Sequence, residues 1–193
     1  ILPPNTYDII SYWWTGNYTV VSEGIVVDNK TTHTIRRSDA YHSANFYLSD
    51  HNGTTDSVVW QDFRLGVFHS LTGMGLYVGN LGGNSSREGF VSDMSSAYNY
   101  SVMGLSKHDD VNTYYTPVFV TQGVDADINM TNEYEDAHQV DFTYNCSTDE
   151  LRALHMIGRK GSSAGTSFSK IPNMSTEHWY LFPIPQSAYF NID

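Results

Sequence analysis

"VDADINMTNEY", residues 124–134, sets Val124, Ala126, Ile128 and Met130 against Asp125, Asp127, Asn129 and Thr131, apolar and polar side chains in strict alternation. Side chains of an extended strand leave on opposite faces, so a period of two means a strand with one buried and one solvated face. "HQVDFTYN", residues 138–145, repeats the pattern, with Val140, Phe142 and Tyr144 facing in and Asp141, Thr143 and Asn145 facing out. One-sided strands of this kind belong to antiparallel sheets packed face to face.

The rest of the chain follows suit. Runs rich in Tyr, Val, Thr, Phe and Trp at 7–14, 17–28, 31–36, 41–49, 57–70, 74–79, 97–103, 113–121, 123–131 and 138–145 are separated by turn-forming stretches such as "HNGTTD" and "NLGGNSS". The expected fold is all-β: a jelly-roll-like or related two-sheet antiparallel sandwich of eight to ten strands, with a calycin-type barrel as the alternative. The barrel would enclose a ligand cavity. All 193 residues fit one β-rich domain. One helix is expected near 148–157, where Ser147 and Glu150 form a capping box, Leu151, Leu154 and Ile157 an apolar stripe and Gly158 a stop. "GSSAGTS" at 161–167 reads as a loop; its Gly-X-Ser-X-Gly pattern around Ser163 lacks the strand-to-helix context of a nucleophile elbow.

Composition narrows the function classes. The net charge is -11 with only four lysines, which excludes binding to a phosphate backbone. No stretch approaches the roughly 18 apolar residues of a membrane-spanning helix. Eight Asn-X-Ser/Thr triplets, at Asn17, Asn29, Asn52, Asn84, Asn99, Asn129, Asn145 and Asn173, are an excess for a chain with 14 asparagines. They point to an extracellular or cell-surface N-glycoprotein. Residue 1 is Ile with no leader ahead of it, as in a secreted chain whose signal peptide has been removed. The lone Cys146 cannot form an intrachain disulfide and reads as a small packing residue.

Candidate sites are sparse. Asp125, Asp127, Glu133, Glu135 and Asp136 form an oxygen-rich stretch close to calcium-loop spacing, although Met130 stands where the loop needs Gly. The eight histidines show no zinc spacing, and His108-Asp109-Asp110 is a weak loop ligand set. In "SYWWTGNY", residues 11–18, Trp13 and Trp14 must face opposite ways, which puts one of them where it can serve as a stacking platform for a sugar or a partner chain. The C-terminal segment 178–193 carries Trp179, Tyr180 and Phe182, which join Trp13 and Trp14 as weak binding candidates and are too apolar to stay in water, so the segment either closes its own fold or docks on a second copy as an added strand. Within it "YLFPIPQS" is similar to the closing segment of the SusD-like outer-membrane glycan-binding proteins. The likeness covers eight residues, and those proteins are much larger and helical, so no function is carried over from it.

Three function classes remain. The first is a non-enzymatic structural subunit of an extracellular coat, sheath or filament, associating with copies of itself through its apolar termini. The second is an extracellular ligand- or glycan-binding module, including a lipocalin-like carrier of a small hydrophobic ligand. The third is a secreted hydrolase whose residues, Glu133 and Glu135 among them, meet only in the fold. No catalytic residue and no cofactor other than the candidate calcium is assigned.

Overall fold

The computed structural model describes residues 2–28, 30–53, 58–78, 86–108, 113–143, 154–160, 164–170, 176–181 and 188–192. Strand is its dominant element, arranged in three sheets, and none of the three closes into a barrel. The all-β sandwich expected from the alternation is the fold, with more strands and one more sheet than the sequence suggested.

The first sheet contains β1 (Asn5–Trp13), β2 (Tyr18–Val27), β6 (Ser86–Val91), β3 (His42–Leu48) and β10 (Ile128–Asn132), in that spatial order. The second runs β11 (His138–Thr143), β14 (Thr176–Leu181), β8 (Thr113–Thr116), β7 (Met94–His108), β4 (Val58–His69), β5 (Gly75–Val78), and β9 (Val118–Val124) also pairs with β7. The third is small: β13 (Ala164–Lys170), β12 (Leu154–Lys160) and β15 (Ala188–Ile192). Not every pairing is antiparallel, because β2–β6, β3–β10 and β8–β14 run parallel.

The spine is β7. It pairs with β4 along one edge from Tyr98 to His108, and its other edge takes β9 and then β8. The expected single strand at 113–121 divides at Pro117, which lacks the N–H a ladder needs but whose carbonyl accepts a bond from the Gly104 N–H at 3.2 Å. Alternate residues of the two large sheets meet between them. Phe46, Leu48, Leu65, Val67, Tyr100, Val102, Tyr115 and Phe119 form one buried cluster with Val21, Ala44 and Val91. Each buried Val, Leu or Phe among them contributes about 1.5–3 kcal/mol on leaving water.

The stretch at 124–134 turns out to be the corner that joins the two large sheets. β9 ends at Val124 in the second sheet, the chain bends at Asp125–Ala126, and β10 begins at Ile128 in the first. Alternation survives within β10, with Ile128 and Met130 half-buried and Asn129 and Thr131 exposed. Ala126, expected to face in, is exposed because it lies in the bend. Gly123 makes the corner feasible: its φ is +70°, and a Cβ there would lie 3.3 Å from the backbone of Met94 and Ser96.

Four further expectations are corrected. Residues 154–157 are not helical but belong to β12, held by β13 on one side and β15 on the other; 148–153 lie outside the described residues, and so does Cys146. The apolar spacing fits either element over so few residues, and the distant partner at 188–192 decides it. Residues 31–36 are unpaired, since Thr31, Thr32, His33 and Thr34 are exposed and give a sheet nothing to bury. The loop expected at 161–167 is strand from Ala164 onward, with 161–163 outside the described residues. β6, "SREGFV", was not anticipated, since its charged residues and glycine mask a strand sandwiched between β2 and β3.

The described parts of the C-terminal segment, 178–181 and 188–192, pair with strands of the same chain. β14 lies between β11 and β8 of the same chain, and Trp179, fully buried, stacks on Tyr114 with ring centroids 4.9 Å apart at 25°. β15 adds the last strand to the third sheet.

Candidate functional site

A cleft of about 540 Å³ opens between the two large sheets where both present an edge strand. β1 contributes Thr6, Tyr7, Asp8 and Ile10; the end of β4 contributes His69, the turn after it Thr72 and Met74, and the start of β5 Gly75; Tyr98 of β7 completes the lining. Its volume is that of a small-molecule site. Met74 is 74% exposed at the rim, and Leu71, in the same turn, is 85% exposed.

The local sequence explains the polar centre. Between Tyr7 and Ile9 the register of β1 against β2 slips, leaving Asp8 opposite Glu23 and Gly24. Gly24 adopts φ +69°, and its N–H donates to Asp8 Oδ1 at 2.7 Å. The Tyr98 hydroxyl donates to Asp8 Oδ2 at 2.6 Å. These bonds, Tyr98 first and the Gly24 N–H second, hold the Asp8 carboxyl below the usual aspartate range, with a smaller contribution from His69. Burial, with the Asp8 carboxylate beside it, pushes the Tyr98 phenol up, so it stays protonated and donating. The His69 ring meets Tyr98 edge-on, centroids 5.2 Å apart. A carboxylate has about four lone-pair sites, and Asp8 uses two of them within the protein. It is exposed and aimed at the cleft with acceptor capacity to spare.

Other polar clusters lie elsewhere, among them two built around His–Asp contacts. Tyr41 donates to Asp93, which His42 Nε2 also meets at 2.7 Å, while His42 Nδ1 lies 4.0 Å from Asp127. At the other end of the first sheet, buried Asp50 meets His108 Nε2 at 3.2 Å, the His51 and His108 rings lie 4.7 Å apart, and the Tyr115 hydroxyl contacts His51 Nδ1 at 2.7 Å.

The residues singled out from the sequence are dispersed. Asp127 accepts from the Ser43 N–H, Glu133 accepts from the Ser49 hydroxyl, Asp125 sits in the β9–β10 bend, and Glu135 and Asp136 are exposed in the 3-10 turn Tyr134–Asp136. Among the described residues no group of three His, Cys, Asp or Glu side chains is placed to hold a metal ion, so the five candidate calcium ligands are not brought together. Trp13 is half-buried and Trp14, in the β1–β2 turn, is 62% exposed, so Trp14 is the surface member of the pair. Trp179 is core and no platform; Tyr180 lies in β14 with its backbone alone described, and Phe182 is outside the described residues. Of the sequons, Asn52 and Asn129 are exposed, Asn17 and Asn99 are half-buried, and Asn29, Asn84, Asn145 and Asn173 lie outside the described residues.

Asp8, His69 and Tyr98 were not legible as a site. They are 29 to 90 residues apart in the sequence, and no motif links them. The nearest signal was Gly24, an isolated glycine within a strand pattern, which marks a bulge. Neither a protein-family model, nor a curated protein, nor a solved structure matches this chain.

No helix among the described residues is long and apolar enough to cross a membrane.

Proposed function

We propose that this chain is a secreted or cell-surface N-glycoprotein that binds a neutral glycan in the cleft between β1 and the β4–β5 turn. The observation that supports this is the pairing, in one cleft, of apolar and aromatic surface from Tyr7, Ile10 and Met74 with the acceptor Asp8. A sugar ring offers the matching chemistry: a C–H face that packs on apolar and aromatic side chains, and hydroxyls that donate to a carboxylate. The net charge of -11 disfavours sulfated or other acidic glycans. Printed arrays of neutral and acidic glycans test this, with wild type compared against Asp8→Asn and Met74→Ala. Binding to neutral structures that both variants weaken at least tenfold is expected. Equal binding by all three proteins, or binding confined to acidic glycans, would overturn it.

A second reading, a structural subunit of an extracellular assembly, finds support in β1 and β5, which are edge strands among the described residues and can accept a strand from another copy. The C-terminal strand β14 pairs with β11 and β8 of the same chain, so this reading rests on the edges of β1 and β5. Sedimentation velocity over a wide concentration range tests it, and monomers alone at the highest concentration would remove it.

A further inference from the structure

Resting on the glycoprotein reading, we propose that Asn52 and Asn129 carry N-glycans, whereas Asn17 is a structural clamp that stays unmodified. The three share a sequence motif but differ at Nδ2, the atom a glycan occupies. On β10, Asn129 and the Thr131 of its triplet share the exposed face. Its Oδ1 accepts from Asn45 Nδ2 at 3.1 Å, and its own Nδ2 has no hydrogen-bond partner among the described residues. Asn52 is exposed in the turn after β3, its Nδ2 a long 3.4 Å from His51 Nε2.

Asn17 is built in. It is the one described non-glycine residue with a left-handed backbone, φ 56°, a conformation that asparagine tolerates better than most residues. Its Nδ2 donates to the Glu88 carbonyl at 2.9 Å and its Oδ1 accepts from the Tyr12 hydroxyl at 3.0 Å. Its backbone carbonyl accepts from the Phe90 N–H at 3.0 Å. Together these bonds fasten the β1–β2 hairpin to β6, beside the parallel pairing of Tyr18 with Phe90. Thr19, the hydroxyl residue of this triplet, is 1% exposed. A sugar on Nδ2 would have to share the space between Asn17 and the Glu88–Gly89 backbone, which lies so close that a Cβ on Gly89 would sit 3.2 Å from the Asn17 carbonyl oxygen and 3.5 Å from its Cβ. Glycosylation there would obstruct the joint.

The pattern bears on docking. β10 is the edge of the first sheet opposite β1. A glycan on Asn129 shields that edge from strand addition and leaves the cleft on the β1 side uncovered.

Glycopeptide mapping of protein secreted from a eukaryotic host tests the assignment, each occupied Asn being read as Asp after enzymatic deglycosylation. Conversion at positions 52 and 129 in most molecules, with position 17 unchanged, is expected. Conversion at 17, or an unmodified 52 or 129 while other triplets are converted, overturns the sorting and leaves the glycoprotein reading standing. Eight unmodified triplets overturn both. The clamp has its own readout in unglycosylated protein made in a bacterial cytoplasm: Asn17→Gln lowers the melting temperature and Asn129→Gln does not. An unchanged melting temperature for Asn17→Gln overturns the clamp.

Discussion

Trp179→Ala measures how firmly the C-terminal segment belongs to its own domain. Trp179 has no exposed surface, stacks on Tyr114, and sits on a strand flanked by β8 and β11. Truncating a buried Trp to Ala costs about 3–5 kcal/mol, from lost transfer energy and from the cavity left behind. Against a domain stability of roughly 5–15 kcal/mol, that removes a large share. With about 2–4 °C per kcal/mol for a chain of this size, the melting temperature should fall by roughly 6–20 °C. Circular dichroism during guanidinium titration and heating reads both, and repeating it over a wide range of protein concentration separates cis from trans docking. A loss below about 1 kcal/mol, or a loss that varies with protein concentration, would refute docking within the chain, because surface substitutions cost about 0.5 kcal/mol or less. Trp14→Ala is the internal control: Trp14 is 62% exposed, and its loss should stay within that surface range.

Three further outcomes are expected. The Asp8 carboxyl is held below its usual range by Tyr98 and the Gly24 N–H. The stability it contributes is therefore present above the unfolded aspartate value, about 3.9, and lost as pH falls through the lower folded value; Asp8→Asn should remove that part of the acid limb in a pH series of denaturation midpoints. Tyr98→Phe keeps the buried ring but deletes the donor to Asp8, so stability should fall by about 1 kcal/mol and the Asp8 titration, followed by NMR, should move up. Gly123→Ala forces a Cβ into a left-handed residue facing the Met94 and Ser96 backbone, and should cost about 1–2 kcal/mol in urea denaturation.

What could be read in advance was whatever local alternation encodes. Ile128, Asn129, Met130 and Thr131 announced a half-buried strand, and β10 is one. The same alternation hid the sheet-to-sheet corner at Asp125–Ala126, because a bend between two strands leaves the period of two nearly intact. Where local signal and distant pairing disagreed, pairing won. Leu154 and Ile157 suit a helix stripe, yet β12 forms because Met156 through Lys160 find Ala188 through Ile192 across the third sheet. The site was the least legible feature. Asp8 acquires its role from a register slip against β2 and from a tyrosine 90 residues away, neither of which leaves a motif.

The central claim, that the β1 and β4–β5 edges enclose a glycan site, is tested most directly by titrating isotope-labelled protein with neutral oligosaccharides and mapping the perturbed NMR resonances. Saturable shifts confined to Thr6–Ile10, His69–Gly75 and Tyr98 are predicted, lost on Asp8→Asn. No saturable shift with any of them, or shifts centred on His51 and His108 instead, would contradict the account.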